Sequence, residues 1–165
     1  MRIIGIDPGT AVTGFGVIEV TREHMRLLDY GCIETAAGLP ACERLSRIGE
    51  DLEHLIKKWQ PTEAAVEELF FAKNVKTAMS VAQARGVILE KLNRGGIAIS
   101  EYKPKEIKEV VCGDGGADKK ALQKMVQILL KLDKPPKKDD AADAIAAALC
   151  HASKIPLRNA INNQR

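Results

Sequence analysis

Apolar residues along the chain change their period twice, and the changes divide it into elements. Arg2–Asp7 (RIIGID) is a short apolar run closed by Pro8-Gly9, the pattern of a buried strand that ends in a turn. Thr13–Val20 and Met25–Thr35 continue as strands. Thr21–His24 between them predicts a hairpin, so the first three strands form an antiparallel meander. The spacing then becomes three and four. Leu45, Ile48, Leu52, Leu55, Ile56 and Trp59 line one face of a helix over about Ala41–Trp59, which Pro61 stops. Glu63–Phe71 reads as a strand with its exit loop. Asn74 is placed to cap a helix from Val75 to about Leu92, ended by Gly95-Gly96, and Ile97–Tyr102 is a fifth strand. Asp118 is an N-cap for a further helix with the stripe Leu122, Met125, Val126 and Leu129. Pro135-Pro136 breaks the chain before an alanine-rich helix from about Asp140 to His151. The order predicts an α/β fold, a mixed sheet with helices on its faces, as a single domain over residues 1–152. Residues 153–165 are polar, lack periodicity and are expected to form a flexible tail.

Composition narrows the class. With 165 residues, 45% apolar and 28% charged, the chain is of globular type and of one-domain size. No apolar stretch approaches the ~20 residues of a membrane-spanning helix. No signal-peptide pattern follows Met1, so membrane and secreted readings are set aside and a cytoplasmic location is expected. Cys32, Cys42, Cys112 and Cys150 are spaced by 10, 70 and 38 residues, which makes no metal-ligand pair. Reduced, small, buried thiols are expected. The formal charge of +3 hides an asymmetry, because the segment from Lys103 to Lys138 holds most of the excess lysine. That segment is either a solvated lysine-rich face or a patch that meets phosphates.

Four acids carry the candidate chemistry. Asp7 ends the first strand, where open α/β sheets bind ligands, although Asp before Pro-Gly also forms turns. Glu67 and Glu68 follow the apolar run Ala64-Ala65-Val66, and a carboxylate in such a strand needs a reason. Asp140 and Asp143 are three residues apart, so both project from one helical face, with Ala147 and His151 farther along it. Asp139 is the better cap, which leaves those two for other work. Close carboxylates repel, and without a cation some would protonate. Hard divalent ions with oxygen ligands remove that cost, and a pair of them serves phosphodiester hydrolysis. These residues together point to a metal-dependent nuclease.

Five blocks in order, Gly5–Thr10, Thr13–Gly16, Val66–Asn74, Gln83–Gly86 and Asp140–Asp143, resemble the RuvC family of bacterial Holliday-junction resolvases. The resemblance covers about residues 1–152. It implies a ribonuclease H-like fold with a five-stranded mixed sheet and helices on both faces. It also implies a homodimer that cuts four-way junction DNA with two Mg²⁺ ions per active site, Mn²⁺ being able to substitute. Carried over by position, the catalytic metal ligands are Asp7, Glu67, Asp140 and Asp143, Phe70 stacks on a junction base, and Lys108 and Lys119 lie near the scissile phosphate. The branch-migration proteins RuvA and RuvB are the implied partners. Ala78, Ala82 and Gly86 form a small-residue stripe that packs either on its own sheet or, as the resemblance implies, at the dimer interface. His151 is expected to be a surface histidine, with support of the site as the alternative. A phosphate-loop ATPase would need a second domain, for which the chain has no room.

Overall fold

A computed structural model describes residues 1–68 and 75–162, with their side chains except those of 75–77 and 156–162. The elements are β1 (Arg2–Asp7), β2 (Val12–Val20), β3 (Met25–Glu34), α1 (Ala41–Trp59), β4 (Glu63–Glu67), α2 (Val75–Arg94), β5 (Ala98–Tyr102), α3 (Pro104–Cys112), α4 (Lys119–Leu129) and α5 (Asp139–Asn162). The strands form one sheet in the order β3-β2-β1-β4-β5. The first three are antiparallel, and β4 and β5 run parallel to β1. The meander and the mixed sheet are as the apolar pattern predicts.

Alternation along the strands separates two cores. Ile4, Ile6, Val17, Ala64 and Val66 pack with Ile48 and Leu52 of α1 and Ala84, Ile88 and Leu92 of α2. Ile3, Ile18 and Ala65 face the other way, onto Ile107 and Val111 of α3, Leu122 and Val126 of α4, and Ile145 and Leu149 of α5. Each buried Leu or Ile stabilises by about 1.5–3 kcal/mol, so both faces are firmly held.

One feature of the second face positions the site. Gly5 pairs with Gly16, and Asp7 with Gly14, across β1 and β2. A Cβ on Gly5 would overlap the Ala144 carbonyl of α5, one on Gly14 the Asp140 carbonyl, and one on Gly16 would lie 2.5 Å from Ile145 Cγ1. Ala141, Ala144 and Ala148 are themselves buried. Small residues on both sides let the helix backbone descend onto the strand backbone, which brings the start of α5 beside the end of β1.

Three elements depart from the sequence expectation. The helix α3 was not expected. Pro104 opens it after an extended Lys103, and Gly113, with φ of 75°, ends it. The last helix does not stop at His151. It continues to Asn162, so the segment expected to be a loose tail begins as helix, with Ser153 Oγ donating to the Leu149 carbonyl at 3.0 Å and Ile155 against the core. Nothing between His151 and Ile155 breaks a helix, and polarity alone does not. Leu129, placed in the α4 stripe by spacing, is exposed, and Leu130 is buried instead because the helix ends there. The Asp118 cap is as expected, its carboxylate accepting from the Ala121 amide at 2.8 Å. The cysteines are free, but only Cys150 is buried and Cys42 is exposed, contrary to the expectation of four buried thiols. No described helix is long and apolar enough to cross a membrane.

Candidate active site

Register resolves the ambiguity between Glu67 and Glu68. Ile3 and Ala65 face α5, so alternation sends Asp7 and Glu67 the same way. Ile6 pairs with Val66 in parallel strands, which sets Asp7 and Glu67 side by side at the carboxyl ends of two interior strands beneath α5. The glycine seam brings Asp140 and Asp143, on the first turns of α5, over the Asp7–Gly14 pair. All four acids are half-buried. Asp139 is the first residue of α5 rather than its cap, and its carboxylate is committed elsewhere. It accepts from Lys119 Nζ at 2.9 Å and from Gln123 Nε2 at 2.8 Å. The structure therefore brings together Asp7, Glu67, Asp140 and Asp143, with Asp139 close enough to act on Asp143 although its own carboxylate is paired with Lys119.

The electrostatics are those of crowded like charge. Burial, then the charges of Asp143 and Asp140, push Asp7 up to about 7, against the pull of Lys119. Burial, then Asp7 and Asp143, push Glu67 up to about 8, against Lys108. Asp143 is raised as well, by burial first, with Lys119 opposing. Both sequence-predicted lysines thus act on the carboxylates, Lys108 from α3 and Lys119 from the start of α4. Lys103, Lys105 and Lys108 also border a cavity of about 410 Å³ beside Gly115. Lys138 is drawn off by an ion pair with Glu34. The lysine-rich segment is therefore divided, part facing the acids and part solvated.

Among the described residues no three His, Cys, Asp or Glu side chains close on one another tightly enough to grip an ion by themselves. Four half-buried carboxylates on an open edge still match a hard divalent cation, which keeps several waters and takes one or two carboxylates together with substrate phosphate oxygens. Their mutual repulsion is the cost that such an ion relieves.

His151 is neither on the surface nor at this site. It is 1% exposed, hydrogen-bonded through Nδ1 to the Tyr102 hydroxyl at 2.7 Å and through Nε2 to Glu63 at 3.2 Å. Glu63 lies four residues before Glu67 on β4, roughly 13 Å at strand rise, whereas Tyr102 pairs with Glu67 across β4 and β5, so the network runs from beside the acids back toward the other end of β4. The α2 stripe is divided, Ala78 being half-buried and the other two turned away from the core of its own sheet. Ala84, Ile88 and Leu92 fill that core, while Ala82 and Gly86 are exposed and Met79 is 64% exposed. Phe70 and Asn74 lie outside the described residues. The sequence reading missed the glycine seam; its visible signal was Gly14-Phe15-Gly16 facing a helix with alanines at 141, 144 and 148.

Comparison with known proteins gives the family and the fold. The family described as crossover junction endodeoxyribonuclease RuvC matches residues 3–151. A crossover junction endodeoxyribonuclease RuvC of Chloroflexus aurantiacus is 51% identical over 156 residues, 94% of this chain and 95% of that protein. The Thermus thermophilus RuvC structure superposes with a TM-score of 0.88 at 33% identity, covering 96% of this chain and 97% of that one. The same Thermus protein in complex with Holliday junction substrate gives 0.87 at 35% identity, over 92% and 93%. The fold is ribonuclease H-like, as the resemblance implies.

Proposed function

The chain belongs to the RuvC family of crossover junction endodeoxyribonucleases, and from that premise we propose that it resolves four-way (Holliday) DNA junctions by hydrolysing one phosphodiester on each of two opposing strands, in recombination and repair. The observation that carries this reading is the cluster of Asp7, Glu67, Asp140 and Asp143, with Lys108 and Lys119 acting on it. Like charge held this close, at the end of a sheet and beside lysines, is what a metal-assisted reaction on a polyanion requires. These carboxylates would hold two Mg²⁺ ions, or Mn²⁺ in their place, which would supply the positive charge that activates a water and steadies the leaving oxygen. Asp7 and Glu67 hold protons near neutral pH in the absence of a cation, so loading releases protons. Lys108 and Lys119 orient the phosphate, and Phe70 stacks on a base freed at the branch point.

The outward α2 stripe of Met79, Ala82 and Gly86 supports a homodimer. Two copies related by a two-fold axis present two sites to a junction of similar symmetry. RuvA and RuvB are the expected partners in the cytoplasm, where the four thiols stay reduced. The test is a cleavage assay with Mg²⁺ comparing a synthetic four-way junction, a linear duplex and an RNA–DNA hybrid. Paired nicks selective for the junction are expected. Equal cutting of duplex, or preference for the hybrid, would refute the proposal.

A further inference from the structure

A cavity of about 380 Å³ opens beside the carboxylate cluster, between the β1–β2 turn, the first turn of α1 and α2. Its walls include Gly9, Thr10, Arg44, Ser80 and, on the side of the cluster, Asp140. Arg44 is held in a fixed attitude there. Its Nε donates to Thr35 Oγ1 at 2.8 Å, and the buried Thr35 hydroxyl donates in turn to the Thr10 carbonyl at 2.5 Å. The guanidinium plane is thereby set, and among the described residues its two terminal nitrogens meet no carboxylate or other acceptor. Thr10 supplies the second, independent observation. It is 8% exposed, and among the described residues its Oγ1 is buried without a hydrogen-bond partner. Buried hydroxyls are rarely left so, and the missing partner is an explanation to be found.

We infer that this cavity binds a backbone phosphate of the DNA strand that passes the carboxylate cluster, a neighbour of the phosphate that is cut. The inference rests on the resolvase reading and adds a contact to it. An arginine fork with its Nε already tethered offers two parallel donors to phosphate oxygens, and the Thr10 hydroxyl offers a third. Asp140 decides which anion this is. Its carboxylate repels a small free anion, so the occupant is one tethered to something bound next door, which a strand anchored at the cluster provides. Arg44 and Thr10 are then positioning residues, setting the register of the strand and touching no reacting atom.

The experiment measures binding of a four-way junction by fluorescence anisotropy in EDTA over a range of salt concentrations, with melting temperature as the check on folding. Arg44→Gln removes the charge but keeps a donor for Thr35. It is expected to weaken binding about tenfold and to reduce the slope of log K against log[salt] by about one. Arg44→Lys retains the slope, and Thr10→Val weakens binding by about threefold with the slope unchanged. Wild-type affinity and slope in Arg44→Gln would overturn the assignment. So would a loss of affinity at an unchanged slope, the mark of a packing role. Failure of the wild-type protein to prefer a four-way junction over duplex would instead refute the resolvase reading, whatever Arg44→Gln does.

Discussion

Two neighbouring polar clusters beneath α5 handle buried charge in opposite ways. In one, His151, Tyr102 and Glu63 are linked by hydrogen bonds of 2.7 and 3.2 Å, and Lys154, paired with Glu106, stands 5.0 Å from the Tyr102 ring centroid. The imidazole has a partner at each nitrogen, and the network ties α5 to β4 and β5. In the other, the same helix and the same strand bring carboxylates together, and the carboxylate neighbours of Asp7 and Glu67 raise their pKa further, which Lys119 and Lys108 offset only in part. Satisfied polar groups hold a fold together. Frustrated ones persist where something outside the chain completes them.

Four measurements break or sharpen that contrast. The largest effect is expected from Asp7→Asn, which should slow nicking of a synthetic junction in Mg²⁺ on the order of 10³-fold or more. Junction binding in EDTA should survive, and wild-type nicking rates would remove Asp7 from the site. His151→Leu in the satisfied cluster should cost about 1–3 kcal/mol in urea unfolding, because Glu63 and Tyr102 lose their partner. Its nicking rate should stay near that of wild type at temperatures where it is folded; a catalytic defect without a stability defect would erase the distinction drawn here.

Melting as a function of pH is the third measurement. Asp7 and Glu67 are raised in the fold, so the folded protein binds more protons than the unfolded chain between the ordinary carboxylate range and about pH 8. Stability in EDTA is therefore greatest at the acid end of that window and falls as pH rises through 7 and 8, by roughly 3–6 °C in melting temperature. Asp7→Asn should flatten the fall, and Mg²⁺ should reverse it at high pH. A melting temperature that rises over this window would contradict the crowding. Smallest is Lys119→Ala, expected to slow junction cleavage about tenfold while leaving Asp139 with only Gln123. An unchanged rate would class Lys119 with the solvated lysines.

Much of this was legible in the chain. The meander, α1 and the strand β4 followed from the period of apolar residues, and Asp140 with Asp143 followed from their three-residue spacing. Where reading failed, the deciding contact was distant in sequence. His151 looked like a helix-end histidine because Glu63 and Tyr102, 88 and 49 residues away, cannot be assigned to it by spacing. The last helix was cut short because polarity was taken for looseness, whereas Ile155 packs against the core. Asp139 looked like a cap until Lys119 and Gln123 from α4 claimed it.

Local order in the chain determined which residues are strand, which are helix and which acids occur near element ends, because those depend on periodicity and on residues a few places apart. Only the tertiary structure decided which acids meet. Register placed Glu67 rather than Glu68 beside Asp7, and the glycines at 5, 14 and 16 let α5 come close enough to add Asp140 and Asp143. The reason is physical: Coulomb repulsion and burial depend on distance through space, and distance through space between residues 7, 67 and 140 exists only once the sheet is assembled.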